Sequence, residues 1–148
     1  MKTLILIAFL LSTASAEAAD TKRYCYSEDL FANSTPLGKF QGWLEITPYG
    51  HSVEISFEDK MPDAAQYIFF DDVIARHVRD SIYTFRFEDN WENRGSGRLR
   101  VSGEFVVLQF GPIVPTKDSV GRNATRGYSD MILTQKACSN VPRFSHPW

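Results

Sequence analysis

Apolar and polar residues alternate with period two over much of this chain, the pattern of strands with one buried face. In His51-Ser-Val-Glu-Ile-Ser-Phe-Glu58, Val53, Ile55 and Phe57 share one face, while Ser52, Glu54 and Ser56 share the other. Ser81 to Glu88 repeats the arrangement, with Tyr83, Phe85 and Phe87 set against Thr84, Arg86 and Glu88. Lys39 to Thr47 places Phe40, Leu44 and Ile46 opposite Gln41, Trp43 and Glu45, and Gly97 to Val101 places Leu99 and Val101 opposite Arg98 and Arg100. Phe105 to Phe110, Met131 to Gln135 and Gln66 to Phe70 complete the predicted strands.

Turn chemistry separates these runs. Pro48-Tyr-Gly50 joins its two neighbours, Asp89 to Gly95 is a polar hairpin loop, and Ser102-Gly103 fits a two-residue hairpin in which glycine supplies positive φ. Gly111 to Gly127, rich in glycine and proline, predicts a long loop. One stretch carries both signals. Across Asp71 to Ser81, Val73 with His77 and Ile74 with Val78 form i,i+4 pairs that Asp72 could cap, which favours one short helix over a strand. About seven or eight short strands in hairpin order predict an all-β fold, a single antiparallel meander closed into a barrel. Closure removes the free edges that invite aggregation. A two-sheet sandwich is the alternative.

Composition sharpens this picture. With 148 residues, 43% of them hydrophobic, the chain is long enough for one domain and too apolar for intrinsic disorder. A net charge of −2 lacks the basic surplus of a dedicated nucleic-acid binder. Lys2 precedes the apolar run Leu4 to Leu11, and small residues follow. The run is far short of the roughly 20 residues that span a bilayer, and it matches a secretory signal with A-x-A cleavage patterns. Residues 1–16 therefore read as a signal peptide, with cleavage alternatively after Ala18. Residues 17–148 form a single β-rich domain whose tail, Val141 to Trp148, lies loose. No later segment has membrane-spanning length, so the mature chain is expected to be periplasmic or secreted.

Export gives the two cysteines meaning. In an oxidising compartment Cys25 and Cys138 are expected to form a disulfide that ties the first and last strands. Closing so long a loop is worth roughly 4–5 kcal/mol in the chain-entropy model.

No catalytic set emerges. His51, His77 and His146 are scattered, with no paired-ligand spacing, so neither a metal nor a cofactor is expected. Gly95-Ser-Gly97 lacks the strand-to-helix setting of a nucleophile elbow. Glu54, Glu58 and Asp59 could pair as in glycoside hydrolysis, but their alternation fits a solvated strand face better. Asp89 to Asn93 fails as a calcium loop because Trp91 and Arg94 stand where an oxygen ligand and a glycine belong.

Binding has better support. Trp91 on the polar loop, with Asn90, Glu92 and Arg94 around it, offers a rigid contact area, although a tryptophan there could instead fold back as a lid. Trp43, Phe105 and Val107 fall on outward positions and would form a patch if exposed together. Arg86, Arg98 and Arg100 alternate outward near Glu88, which fits cross-strand ion pairs or, more sharply, an acidic partner surface. Two glycosylation sequons, Asn33-Ser-Thr35 and Asn123-Ala-Thr125, are short enough to arise by chance.

A signal peptide, a compact β-meander and a disulfide together resemble the small periplasmic lysozyme inhibitors of bacteria. Ser102-Gly103 is similar to the Ser-Gly that opens a loop segment in the C-type lysozyme inhibitors, and the following residues, Glu104 to Gly111, depart from that family's pattern. The resemblance implies a β-barrel and a binding role for Ser102. The functional expectation is a non-catalytic exported protein that binds or inhibits another protein of the periplasm or cell envelope, lysozyme-inhibitor-like or immunity-like. A lipocalin-like binder of a small apolar ligand is the alternative; it requires a central cavity, and there is no room for one if Phe40, Phe57, Phe85 and Phe87 fill the interior.

Overall fold

The computed structural model describes residues 20–60, 67–115 and 128–142, so residues 1–16, expected to be a signal peptide, Asn123 and His146 lie outside the described residues. Eight antiparallel strands follow one another around a closed barrel. They are β1 (Lys22–Ala32), β2 (Thr35–Tyr49), β3 (Ser52–Lys60), β4 (Tyr67–Arg79), β5 (Ile82–Glu88), β6 (Arg94–Ser102), β7 (Phe105–Phe110) and β8 (Met131–Thr134). No helix among the described residues is long and apolar enough to cross a membrane.

The alternation buries the expected faces. Leu44 and Ile46, Val53, Ile55 and Phe57, Phe85 and Phe87, and Leu99 all point into the core, while Phe40 is only half-buried. The rings of Phe57, Phe70, Phe85, Phe87, Phe110 and Tyr128 pack together, with centroids 4.7 to 6.2 Å apart. Two glycines of β6 make room for them. A Cβ at Gly97 would strike the Phe85 ring, and one at Gly95 would lie 2.7 Å from Phe87.

Three elements differ from the sequence-based expectation. Asp71 to Ser81 is not helical: its first nine residues extend β4, which ends at Arg79, and Asp80-Ser81 make the turn to β5. Residues i and i+4 share a face in a strand as well as in a helix, and the β-branched Val73, Ile74 and Val78 favour the pleated surface. Asp72, expected as a helix cap, sits instead in a β-bulge with φ of 55°, where its N–H donates to Ser56 Oγ at 3.2 Å. The bulge lets alternation resume, so Val73 pairs with Ile55 and Ala75 with Val53, both facing inward.

β1 has too little apolar alternation to be legible: Tyr24 and Tyr26 face inward, but a polar stretch from Ser27 to Asp29 follows. It turns into β2 through Asn33 and Ser34, both with positive φ, as a two-residue hairpin requires. The β6–β7 turn lies one residue later than expected, with Ser102 paired to Phe105 and Gly103 at φ of 57°.

The last seam is the weakest. β8 meets β1 through a single pair in register, Cys25 with Thr134. The Cys25–Cys138 disulfide spans 113 residues and staples this seam through a 3₁₀ helix, Lys136–Asn140. Val141, where the tail was expected to work loose, is buried, and Arg23 donates to the carbonyls of Val141 and Pro142.

Candidate functional site

The ladder between β4 and β5 is short and irregular. It runs only from Arg76 opposite Thr84, through His77 opposite Tyr83, to Arg79 opposite Ile82. Beyond it, β4 pairs only with β3, and Phe85 to Glu88 of β5 pair only with β6. The strands are stitched together again by the loop after β5. The Asn90 N–H donates to the Phe69 carbonyl, the Asn90 side chain accepts from the Phe69 N–H and donates to the Tyr67 carbonyl (each 3.0 Å), and the Trp91 indole N–H reaches the Tyr67 carbonyl at 2.9 Å. The Asn90 amide thus substitutes for a strand residue.

Asp89 holds this loop in place. One carboxylate oxygen accepts the Trp91 and Asn93 backbone N–H groups at 2.8 Å; the other accepts from the Asn93 amide at 2.9 Å and the Tyr128 hydroxyl at 2.6 Å. Burial, followed by the bond to Asp89, pushes the Tyr128 phenol well above its ordinary pKa. Nearby inside the barrel, the Tyr26 hydroxyl donates to Asp59. Burial raises the Asp59 carboxyl to about 6, the Tyr26 bond opposing the rise, and burial also lifts the Tyr26 phenol.

A cleft of about 850 Å³ lies across three strands, lined by Ile74 and Arg76 of β4, Thr84, Phe85 and Arg86 of β5, and Ser96 and Gly97 of β6. A second hollow of about 490 Å³ adjoins it at Arg86 and reaches Val73, Phe87 and Arg94. The larger volume falls in the range of about 300–1,000 Å³ typical of ligand sites. Phe85 lines the inner side of the cleft and Phe87 that of the adjoining hollow, and guanidinium groups stand at the rim.

Those guanidinium groups belong to a wider face. Pairing in register puts Arg76 and Arg98 on either side of Thr84, Arg79 and Arg100 on either side of Ile82, and Arg86 beside Ser96. All five arginines are exposed. The expected ion pairs with Glu88 do not form here, because register sets Glu88 against Arg94, which it binds at 2.7 Å. Other ion pairs, Arg23–Glu45 and Lys39–Asp29, lie elsewhere, and among the described residues none involves the five arginines of this face.

The structure separates the residues that sequence singled out. Asn90 and Trp91 line neither hollow; they tie the loop after β5 to Tyr67 and Phe69, with Trp91 37% exposed. Arg94 lines the smaller hollow, and Glu92 is exposed at φ of 61°. Ser102 lies at the far end of β6, roughly 26 Å of strand away from Arg94, and is exposed. Trp43 is half-buried beneath the Arg23 guanidinium, 5.6 Å from its ring centroid, whereas Phe105 is exposed on β7. Arg76 and Arg79 were missed because their stretch looked helical; the β-branched run from Val73 to Val78 was the available signal. Among the described residues, no three His, Cys, Asp or Glu side chains gather as metal ligands. His77 donates from Nε2 to the Asp80 carbonyl at 2.7 Å and meets the Tyr83 ring edge-on.

No protein-family model, curated protein or solved structure matches this chain.

Proposed function

We propose that this chain is a non-catalytic, exported binding protein that docks an acidic surface of another protein in the periplasm or cell envelope. The observation that carries the reading is the face of five exposed arginines that have no carboxylate partner among the described residues, on a chain whose net charge is −2. Like charges on neighbouring strands repel one another, so such a face costs the isolated fold stability that a partner's carboxylates would return. Arginine is well suited to such a surface, because its planar fork bonds carboxylates bidentately and is weakly hydrated, and arginine is enriched in interfaces. The net negative charge elsewhere would repel a long phosphate backbone, which favours a compact acidic patch over nucleic acid. A disulfide across the barrel seam fits an oxidising compartment. The aromatic rings packed through the core favour surface binding over a lipocalin-like central cavity.

The test is a fluorescence-anisotropy titration of the mature, oxidised chain against labelled polyglutamate. Raising salt from about 20 to about 300 mM should weaken binding on the order of tenfold, and Arg86→Glu with Arg98→Glu should abolish it. Equal binding by the wild type and this double variant, or no binding at low salt, would refute the reading.

A further inference from the structure

We propose that the arginine face continues into an apolar patch on β7 and β8, and that the two together dock a protein surface whose carboxylates flank an exposed aromatic or aliphatic side chain. This rests on the arginine-face reading above and adds the apolar anchor that charge alone lacks.

The first observation is register. One row of side chains crosses five neighbouring strands: Arg79 of β4 pairs with Ile82 of β5, Ile82 with Arg100 of β6, Arg100 with Val107 of β7, and Val107 with Ile132 of β8. Strands lie about 4.8 Å apart, so the row runs roughly 19 Å from Arg79 to Ile132. Phe105 shares the outer face of β7 with Val107, two residues away.

The second is exposure. Val106, Leu108 and Leu133 fill the core, which turns Phe105, Val107 and Ile132 outward. Ile132 is 63% exposed and Phe105 42%, while Val107, paired with both Arg100 and Ile132, is half-buried. Apolar side chains grouped in this way on adjacent strands, with charged residues along one border, have the layout of a protein-binding surface.

The third is energetic. Exposed arginine–carboxylate pairs contribute little each and are screened by salt, so an acidic surface held by arginines alone dissociates readily. Burying one branched or aromatic side chain raises affinity on the order of tenfold or more, and it excludes water from the pairs beside it. The step from Arg100 to Val107 and Ile132 sets both components side by side. In the next row Gln109, paired with Arg98, donates to Asp130 at 3.2 Å. That row brings its own carboxylate to the border of the patch, which directs the partner's carboxylates toward Arg79 and Arg100.

Two labelled polymers test this by anisotropy at about 100 mM salt: polyglutamate, and a glutamate–tyrosine copolymer with the same number of glutamates. The copolymer should bind the mature, oxidised chain about tenfold more tightly. Phe105→Ser with Ile132→Ser, checked for native circular dichroism, should remove that gain and leave polyglutamate binding unchanged. Phe31→Ser with Leu37→Ser, which alters exposed apolar residues of the β1–β2 hairpin, should keep the gain. Equal binding of the two polymers, a gain that survives the β7–β8 substitutions, or one lost equally in the hairpin variant would overturn the apolar anchor while leaving the arginine face standing. Sedimentation should show a monomer; a dimer abolished by Ile132→Ser would assign the patch to a second copy and overturn the proposal. Failure of both polymers to bind, even at low salt, would overturn both readings.

Discussion

Asp59 occupies an inward position of β3, a place that alternation reserves for apolar side chains. Its neighbours on that face are Phe57 and, across the ladder, Ile68. Burial raises its carboxyl from 3.8 to about 6, and the Tyr26 hydroxyl recovers only part of the lost hydration. The folded chain therefore holds this proton more tightly than the unfolded chain does. The stability it contributes is complete below about pH 4 and is lost as pH rises through about 6. Asp59→Asn keeps an acceptor for Tyr26 and cannot ionise, so thermal unfolding should show it stabilising the protein at pH 7.5 by up to about 3 kcal/mol, with little effect at pH 4. An equal shift at both pH values would show that the carboxyl's charge is not the cause. The same residue scale explains Asn90 and Trp91. Sequence marks them as binding candidates because they are polar and aromatic on a loop; in the fold they bond to the Tyr67 and Phe69 main chain and tie the loop to β4.

At the scale of elements, β4 and β6 decide the shape of the cleft. The bulge at Asp71-Asp72 falls in the part of β4 that has no ladder to β5, and Gly95 and Gly97 on β6 leave space into which the Phe87 and Phe85 rings settle. Gly97→Ala should cost about 1–3 kcal/mol in denaturant unfolding, because its Cβ meets the ring of Phe85. Combined with Phe85→Leu, the loss should be less than additive, and the double-mutant cycle would measure the contact. Strict additivity would mean that Phe85 does not occupy the glycine's space. The i,i+4 pairs of β4 show why its helix-like signal misleads: the spacing is common to both structures, and only pairing with β3 distinguishes them.

For the whole molecule, closure depends on one seam. β8 pairs with β1 at a single position, so the covalent link from Cys25 to Cys138 holds the ends of the meander together. Replacing both cysteines by serine should lower stability by roughly 4–5 kcal/mol in the chain-entropy picture, seen as an earlier denaturant midpoint. Amides of β1 and β8 should lose hydrogen-exchange protection before those of the longer β2–β3 ladder. Simultaneous loss across all strands would show that the seam is no weaker than the rest. The meander order sets the charge distribution, since pairing β4 with β5 and β5 with β6 gathers five arginines onto one face.

Period-two patterning alone was enough to locate β2, β3, β5, β6 and β7, with their inward residues, and two cysteines in the chain left a single pairing to form. The outward alternation of Arg86, Arg98 and Arg100 was equally legible, because side-chain direction along a strand is a local property of the pleat. Tertiary structure decided which strand each one faces. Register, and not proximity in sequence, gave Glu88 to Arg94, brought Arg76 and Arg79 onto the same face, and cut short the ladder between β4 and β5. Pairing and its interruption are long-range outcomes of closing the barrel, set by bulges, glycine space and the seam, and a local apolar pattern carries no record of them.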